Sequence, residues 1–153
     1  MKITILQLAR LGDILQTLPA IQGLKKKYPG CEINLVVRNK FAAAARISPF
    51  VDRIIELPTQ DILGGFVEKP SMESKQKSLQ KITKWIAESF SGAKSDLLIN
   101  LTFSNASSWL ATIIPAKKRL GAYRAKDGAF AIDDSWSRYF YSQVMQKNFN
   151  ILH

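Results

Sequence analysis

The sequence holds one cysteine, Cys31, and one histidine, His153. A single thiol excludes an internal disulfide and fits a reducing compartment. So few Cys and His residues also exclude the usual zinc clusters, which need several such ligands at set spacings. No Ser-His-Asp or Cys-His set can be assembled either. The phosphate-binding glycine signatures are missing. No G-x-G-x-x-G follows the first strand and no G-x-x-x-x-G-K-[ST] occurs, so neither dinucleotide nor P-loop binding is signalled. No apolar run approaches the roughly 20 residues of a membrane span. The N-terminus carries one lysine and then a strand pattern, without a small-residue cleavage site, so no signal peptide is expected. Acidic residues are scarce, with 12 Asp+Glu against 22 Lys+Arg and a net charge of +10. That balance favours anionic partners: nucleic acid, anionic lipid or phosphorylated small molecules. Together these features predict a soluble, cytoplasmic protein, with contact at a membrane surface left open by the charge.

What is present is ordinary globular material. Hydrophobic content of 46% over 153 residues suits one domain with a full core. The stretch Ile3-Thr-Ile-Leu-Gln-Leu-Ala-Arg-Leu-Gly-Asp-Ile-Leu-Gln-Thr-Leu-Pro-Ala20 organises the rest. Its apolar opening predicts a buried parallel strand, Gly12 a tight turn, and Asp13 the entry of a helix. Ile14, Leu18, Ile21 and Leu24 recur at the helical period. Pro19 predicts a break, with a short turn over 13–17 and then a main helix capped by Thr17. Further strands are expected at Glu32–Arg38, Arg53–Leu57, Asp96–Leu101 and Ala116–Gly121. Helices are expected over 41–46, near 79–90, at Ser107–Ile114 and near Ser135–Gln146, the last carrying Trp136, Phe140 and Val144. Residues 58–74 have no clear period and contain adjacent glycines, which predicts a functional or mobile loop. Strands alternating with helices give an α/β fold, a Rossmann-like doubly wound parallel sheet ordered 3-2-1-4-5.

In such sheets ligands bind beyond the carboxyl ends of the strands, which singles out Arg10, Gly12 and Asp13. Asp13 can accept a proton from a sugar hydroxyl as general base. Equally, it can serve as a helix N-terminal carboxylate that satisfies free N–H groups. Arg10 suits an anionic group on an acceptor, or is a solvated loop arginine. Asn100, Thr102, Ser104 and Asn105 follow the fourth strand and offer hydroxyl and amide groups suited to a sugar; such residues are also ordinary turn chemistry. Lys118 and Arg124, near the end of the fifth strand, can meet phosphates, though a charge run is often only a wet face. Cys31 and the tryptophans read as packing.

The opening block through Leu-Gly-Asp and Thr-Leu-Pro-Ala resembles the N-terminus of the lipopolysaccharide heptosyltransferases (glycosyltransferase family 9). The similarity continues through Leu24–Gly30, Phe50–Leu57, Asp96–Leu101 and Ala116–Gly121. The resemblance implies the N-terminal half of a GT-B glycosyltransferase. This half would be an acceptor-binding domain, with the donor-binding C-terminal domain not included, and this piece alone inactive. It implies an inverting, metal-independent transfer of heptose from ADP-heptose to the lipopolysaccharide inner core, without a cofactor, with Asp13 at the position of the catalytic base. The implied partners are the nucleotide-sugar donor and the lipopolysaccharide core, with peripheral contact at the inner face of the cytoplasmic membrane and no nucleic acid. Gln16 stands where the family often has histidine, and Asn100-Leu-Thr-Phe-Ser104 where it often has an Asp-Leu-Gln-Gly-like end. The alternative from another class is a non-catalytic basic Rossmann-like module that binds anionic polymers or surfaces.

Overall fold

The structure is a computed structural model in which residues 1–62, 71–92 and 94–145 are described. Five parallel strands form the main sheet: β1 (Lys2–Leu6), β2 (Glu32–Arg38), β3 (Arg53–Leu57), β4 (Ser95–Asn100) and β5 (Ala116–Leu120). Their order is β3-β2-β1-β4-β5, as the strand–helix alternation required. In-register parallel pairing joins Ile3 to Ile33 on one side and to Leu97 on the other. Strands β3 and β5 are the two edges of this sheet.

Successive side chains of a strand point to opposite faces, so a strand apolar at nearly every position must be covered twice. One core takes Ile3, Ile5, Ile33, Leu35 and Val37. It is closed by Ile14 and Ile21 of α1 (Leu11–Lys27) and by the alanines of α2 (Ala42–Ala45). The other takes Leu6, Val36, Ile55, Leu57 and Leu98. Trp85 of α3 (Met72–Ser89) and Leu110 and Ala111 of α4 (Asn105–Ile113) close it. Trp85 meets Phe90 edge-on at 5.8 Å and donates its indole N–H to the Glu56 carbonyl at 2.9 Å. After β5 the chain forms a two-stranded antiparallel ribbon, β6 (Tyr123–Arg124) and β7 (Phe130–Ala131), and ends its described part in α5 (Ser135–Met145).

Three expectations are corrected. First, α1 is one helix that runs through Pro19. The carbonyl that Pro19 leaves without a donor is that of Leu15; both residues are exposed, so water can take it. Thr17 caps nothing: its hydroxyl donates to the Asp13 carbonyl at 2.8 Å, inside the helix. Second, Gly12 makes no tight turn. It lies in the first turn of α1, its φ is not positive, and an added Cβ would meet nothing within 4 Å. Third, α4 begins at Asn105, two residues early, because Ser104 and Ser107 cap its first turn reciprocally. The expected loop over 58–74 is narrowed at both ends, since residues 59–62 are helical and α3 starts at Met72. Its middle, 63–70, lies outside the described residues, as does the expected end of the last helix at Gln146.

Candidate active site

The connections from β1 and β4 run to opposite faces of the sheet, one to α1 and the other to α4, so their carboxyl ends part and leave a crevice. A cleft of about 680 Å³ occupies it. Its walls are Gln7 and Ala9 after β1, Asp13, Gln16 and Thr17 of α1, Asn100 to Phe103 after β4, and Asp134 to Ser137 with Phe140 around the start of α5.

Asp13 is half-buried in the first turn of α1. Its Oδ2 accepts the Arg10 N–H at 2.8 Å, closing the helix start. The other oxygen, Oδ1, has no hydrogen-bond partner among the described residues. Asp13 thus fills the helix-entry role that the sequence offered it, and it lines the cleft with one carboxylate oxygen unengaged. Gln7 holds the floor beneath it. Its amide nitrogen donates to Thr17 Oγ1 at 3.2 Å, and its carbonyl oxygen accepts from Thr102 Oγ1 at 3.3 Å.

Asn100 and Thr102 reach the cleft wall with their polar groups already engaged. The Asn100 amide nitrogen donates to the Ala122 carbonyl at 2.7 Å, and its oxygen accepts the Thr102 N–H at 3.0 Å. Thr102 Oγ1 accepts the Leu8 N–H at 2.7 Å. These two residues brace β1, β4 and the turn after β5 against one another. Ser104 caps α4, and Asn105 Oδ1 accepts from Arg124 at 2.6 Å. Arg124 also donates to Ser108 Oγ and the Gly128 carbonyl and stacks 5.5 Å over Trp109 and Phe130. It fastens the ribbon to α4, away from the cleft. Arg10 and Gly12 are exposed at the start of α1. Lys118 lines a neighbouring depression of about 450 Å³, which shares Leu120 and Asp134 with the cleft. Of the basic run, Lys117 pairs with Asp96 at 2.7 Å, and Arg119 donates to the carbonyls of Ala111, Thr112 and Ile114, capping the end of α4.

The sequence did not single out Gln7, Phe103 or Asp134 for this site, and it marked Gln16 only as a departure from the family's frequent histidine. The only available signal was their distance from a strand end; each reads as generic until α1 and α5 are seen to converge. Asp134 is the most engaged of them. Its carboxylate accepts the Gly121 N–H at 2.9 Å and the Ser137 N–H at 2.7 Å, tying the start of α5 to the end of β5. Burial pushes its carboxyl up, but the hydrogen bonds from Gly121 and Ser137 outweigh this and hold it below the usual range. A depressed carboxylate stabilises the fold above its unfolded value and loses that contribution as pH falls through the folded value. Asp134→Asn should therefore melt lower than wild type near neutral pH. The gap should shrink as pH falls below the ordinary aspartate value of about 4 and through the lower folded value, where the wild-type carboxylate takes up its proton. Thermal melts of both proteins across that range check this; a gap that does not change with pH would show that the charge is not what holds α5.

No family model matches the chain. Lipopolysaccharide heptosyltransferase 1 of Campylobacter coli is 38% identical over 61 residues, which are 40% of this chain and 18% of that relative. Among solved structures, the E. coli heptosyltransferase WaaC with ADP-2-deoxy-2-fluoro heptose superposes with a TM-score of 0.63 at 20% identity. The match covers 79% of this chain and 36% of that one. The family 9 glycosyl transferase of Veillonella parvula gives 0.57 at 24% identity, over 78% of this chain and 31% of that one. At these identities the structures establish a shared fold. The chain thus spans about a third of the length of its structural neighbours, and its similarity in sequence and in fold is to the family that the opening motif suggested.

Proposed function

We propose that this chain is the acceptor-binding domain of a heptosyltransferase-type glycosyltransferase. The observation that carries the reading is the Asp13 carboxylate, held by Arg10 with one oxygen free, in the cleft between β1 and β4. An acceptor hydroxyl seated there loses its proton to Asp13 as its oxygen attacks the anomeric carbon. The new glycosidic C–O bond forms while the bond to the donor phosphate breaks, and the nucleoside diphosphate leaves with the electron pair. A single displacement of this kind inverts the anomeric configuration. Asp13 lies in the first turn of α1, where the hydrogen bond from the Arg10 N–H fixes its position. Its contribution then comes chiefly from holding a lone pair in line with the hydroxyl.

The donor is a nucleotide-activated heptose, in line with the ADP-2-deoxy-2-fluoro heptose of the WaaC structure. It would bind a second domain facing this cleft, and no metal or cofactor is invoked. The acceptor is the lipopolysaccharide inner core, which brings the enzyme to the inner face of the cytoplasmic membrane. Among the described residues, no helix is long and apolar enough to cross a membrane. The reading of a basic, polyanion-binding module gains nothing from the site, since Lys117, Arg119 and Arg124 are engaged within the fold.

The test is a transferase assay on the protein encoded by the whole reading frame, with ADP-heptose and a heptose-deficient lipopolysaccharide core, in the presence of EDTA. Product of inverted anomeric configuration is expected, and none from residues 1–153 alone. Loss of turnover in EDTA would overturn metal independence, and retained anomeric configuration would overturn the single displacement. A protein that turns over no heptose, and binds polyanions with an affinity that collapses as salt is added, would be the basic module instead.

A further inference from the structure

Resting on the reading of this cleft as a saccharide-acceptor site, we propose that Trp136 and Phe140 form an aromatic platform on which a pyranose ring of the acceptor stacks, turning one edge of the sugar toward Asp13. The sequence places Trp136 and Phe140 on the apolar side of the last helix and reads the tryptophans as packing. Instead Trp136 is 70% exposed and Phe140 44% exposed. They lie one helical turn apart on α5, a spacing that places side chains on one face. Both line the cleft that contains Asp13 and Gln16.

The platform is held in place before any ligand arrives. Phe140 packs on Phe103 with ring centroids 5.4 Å apart, and Trp136 on Tyr139 at 6.0 Å. Asp134 ties the start of the helix to the backbone N–H of Gly121. Two rings on a fixed helix lose little freedom on binding, which favours them as anchors.

The other wall identifies the occupant. Asp13 Oδ1 and the exposed Gln16 amide have no hydrogen-bond partner among the described residues and lie in the same cleft. A pyranose ring has C–H faces and a rim of hydroxyl groups, so it can cover the rings while bonding across to the carboxylate and amide. A lipid tail would cover the rings but strand those polar groups away from water, at a cost that disfavours it. A free phosphate would gain nothing from the aromatic wall. Sites of this mixed character, apolar walls with a few placed polar groups, are where small molecules are oriented.

The experiment titrates the nitrogen-labelled 153-residue chain with delipidated lipopolysaccharide core oligosaccharide, following the tryptophan indole N–H signals by NMR. Trp109, exposed outside the cleft, and Trp85, in the core, serve as internal controls. The Trp136 signal should shift saturably while those two stay. Trp136→Ala should bind at least about 10-fold more weakly, and Trp136→Phe, which keeps a ring, within about 3-fold of wild type. A Trp136 signal that stays put while other cleft amides move would overturn the platform, and so would a Trp136→Ala protein that binds like wild type. If Trp136→Ala fails to fold, the indole shift in the wild type still decides. A wild-type chain that binds no oligosaccharide would remove the acceptor-site reading itself, and the platform with it.

Discussion

In an intact enzyme carrying this domain, Asp13→Asn is expected to lower kcat by roughly 10²–10⁴-fold, the range for losing a general base. The fold should barely notice. The asparagine side-chain oxygen can accept the Arg10 N–H that Asp13 Oδ2 now accepts at 2.8 Å, so the helix start stays closed. Losing a negative charge in the first turn should cost only about 0.3–1 kcal/mol. Asp13→Ala separates the two roles of the side chain, because it removes both the base and the acceptor for Arg10. It should lose activity as the asparagine variant does and melt lower by about 1 kcal/mol in addition. Steady-state kinetics and thermal melts on both variants supply the numbers. Near-normal kcat in a folded Asp13→Asn enzyme would leave Asp13 as a cap alone.

Gly121→Ala is expected to be the most damaging single change to the fold. At φ +86 the residue already lies where an L side chain is strained, and an added Cβ would come within 2.2 Å of the Asn100 carbonyl oxygen. That partner is backbone at the end of β4, so the sheet must move. Backbone strain of about 1–3 kcal/mol and overpacking of a similar size put the cost at about 2–6 kcal/mol. In a domain of this size that lowers Tm by roughly 10 °C. Gly30 is the control: its φ is +77, but an added Cβ meets nothing within 4 Å, so Gly30→Ala should cost only the backbone part. The Gly121 variant should also lose acceptor binding beyond its loss of stability, since the displaced Asn100 forms the cleft wall. Thermal melts of both glycine variants and a binding titration of the Gly121 variant test this. Equal melting temperatures for the two would show that the close approach to Asn100 has no energetic weight.

The sheet was legible because its signal is redundant. Runs such as Ile33 to Val37, apolar at every position but Asn34, are bounded by turn residues. The order of the strands followed from the strand–helix alternation together with right-handed crossovers. Pro19 misled because a local rule about hydrogen bonds says nothing of which face of the helix will be wet. At the site, sequence position brought Asp13, Asn100 and Thr102 to one cleft, since each follows a strand that ends there. Ser104, Asn105 and Arg124 carry the same kinds of polar group but are engaged in capping α4 and fastening the ribbon. Nothing in their local sequence separates a side chain that lines the cleft from one that holds a turn elsewhere. Trp136 and Phe140 show the converse difficulty: the helical period marks an apolar face without saying what that face meets.

The composition of β5 bears on how copies of this domain meet each other. A sheet edge offers unpaired backbone groups to any passing strand, and two such edges can zip together. Here the edge strand is Ala-Lys-Lys-Arg-Leu, with Lys117 and Lys118 both exposed. Neighbouring positions of a strand point to opposite faces, so an approaching chain meets an ammonium group whichever side it comes from. A second copy brings the same charges to the same place and is repelled. Part of the positive charge that first suggested an anionic partner thus sits on an open sheet edge, where it disfavours pairing with a second copy.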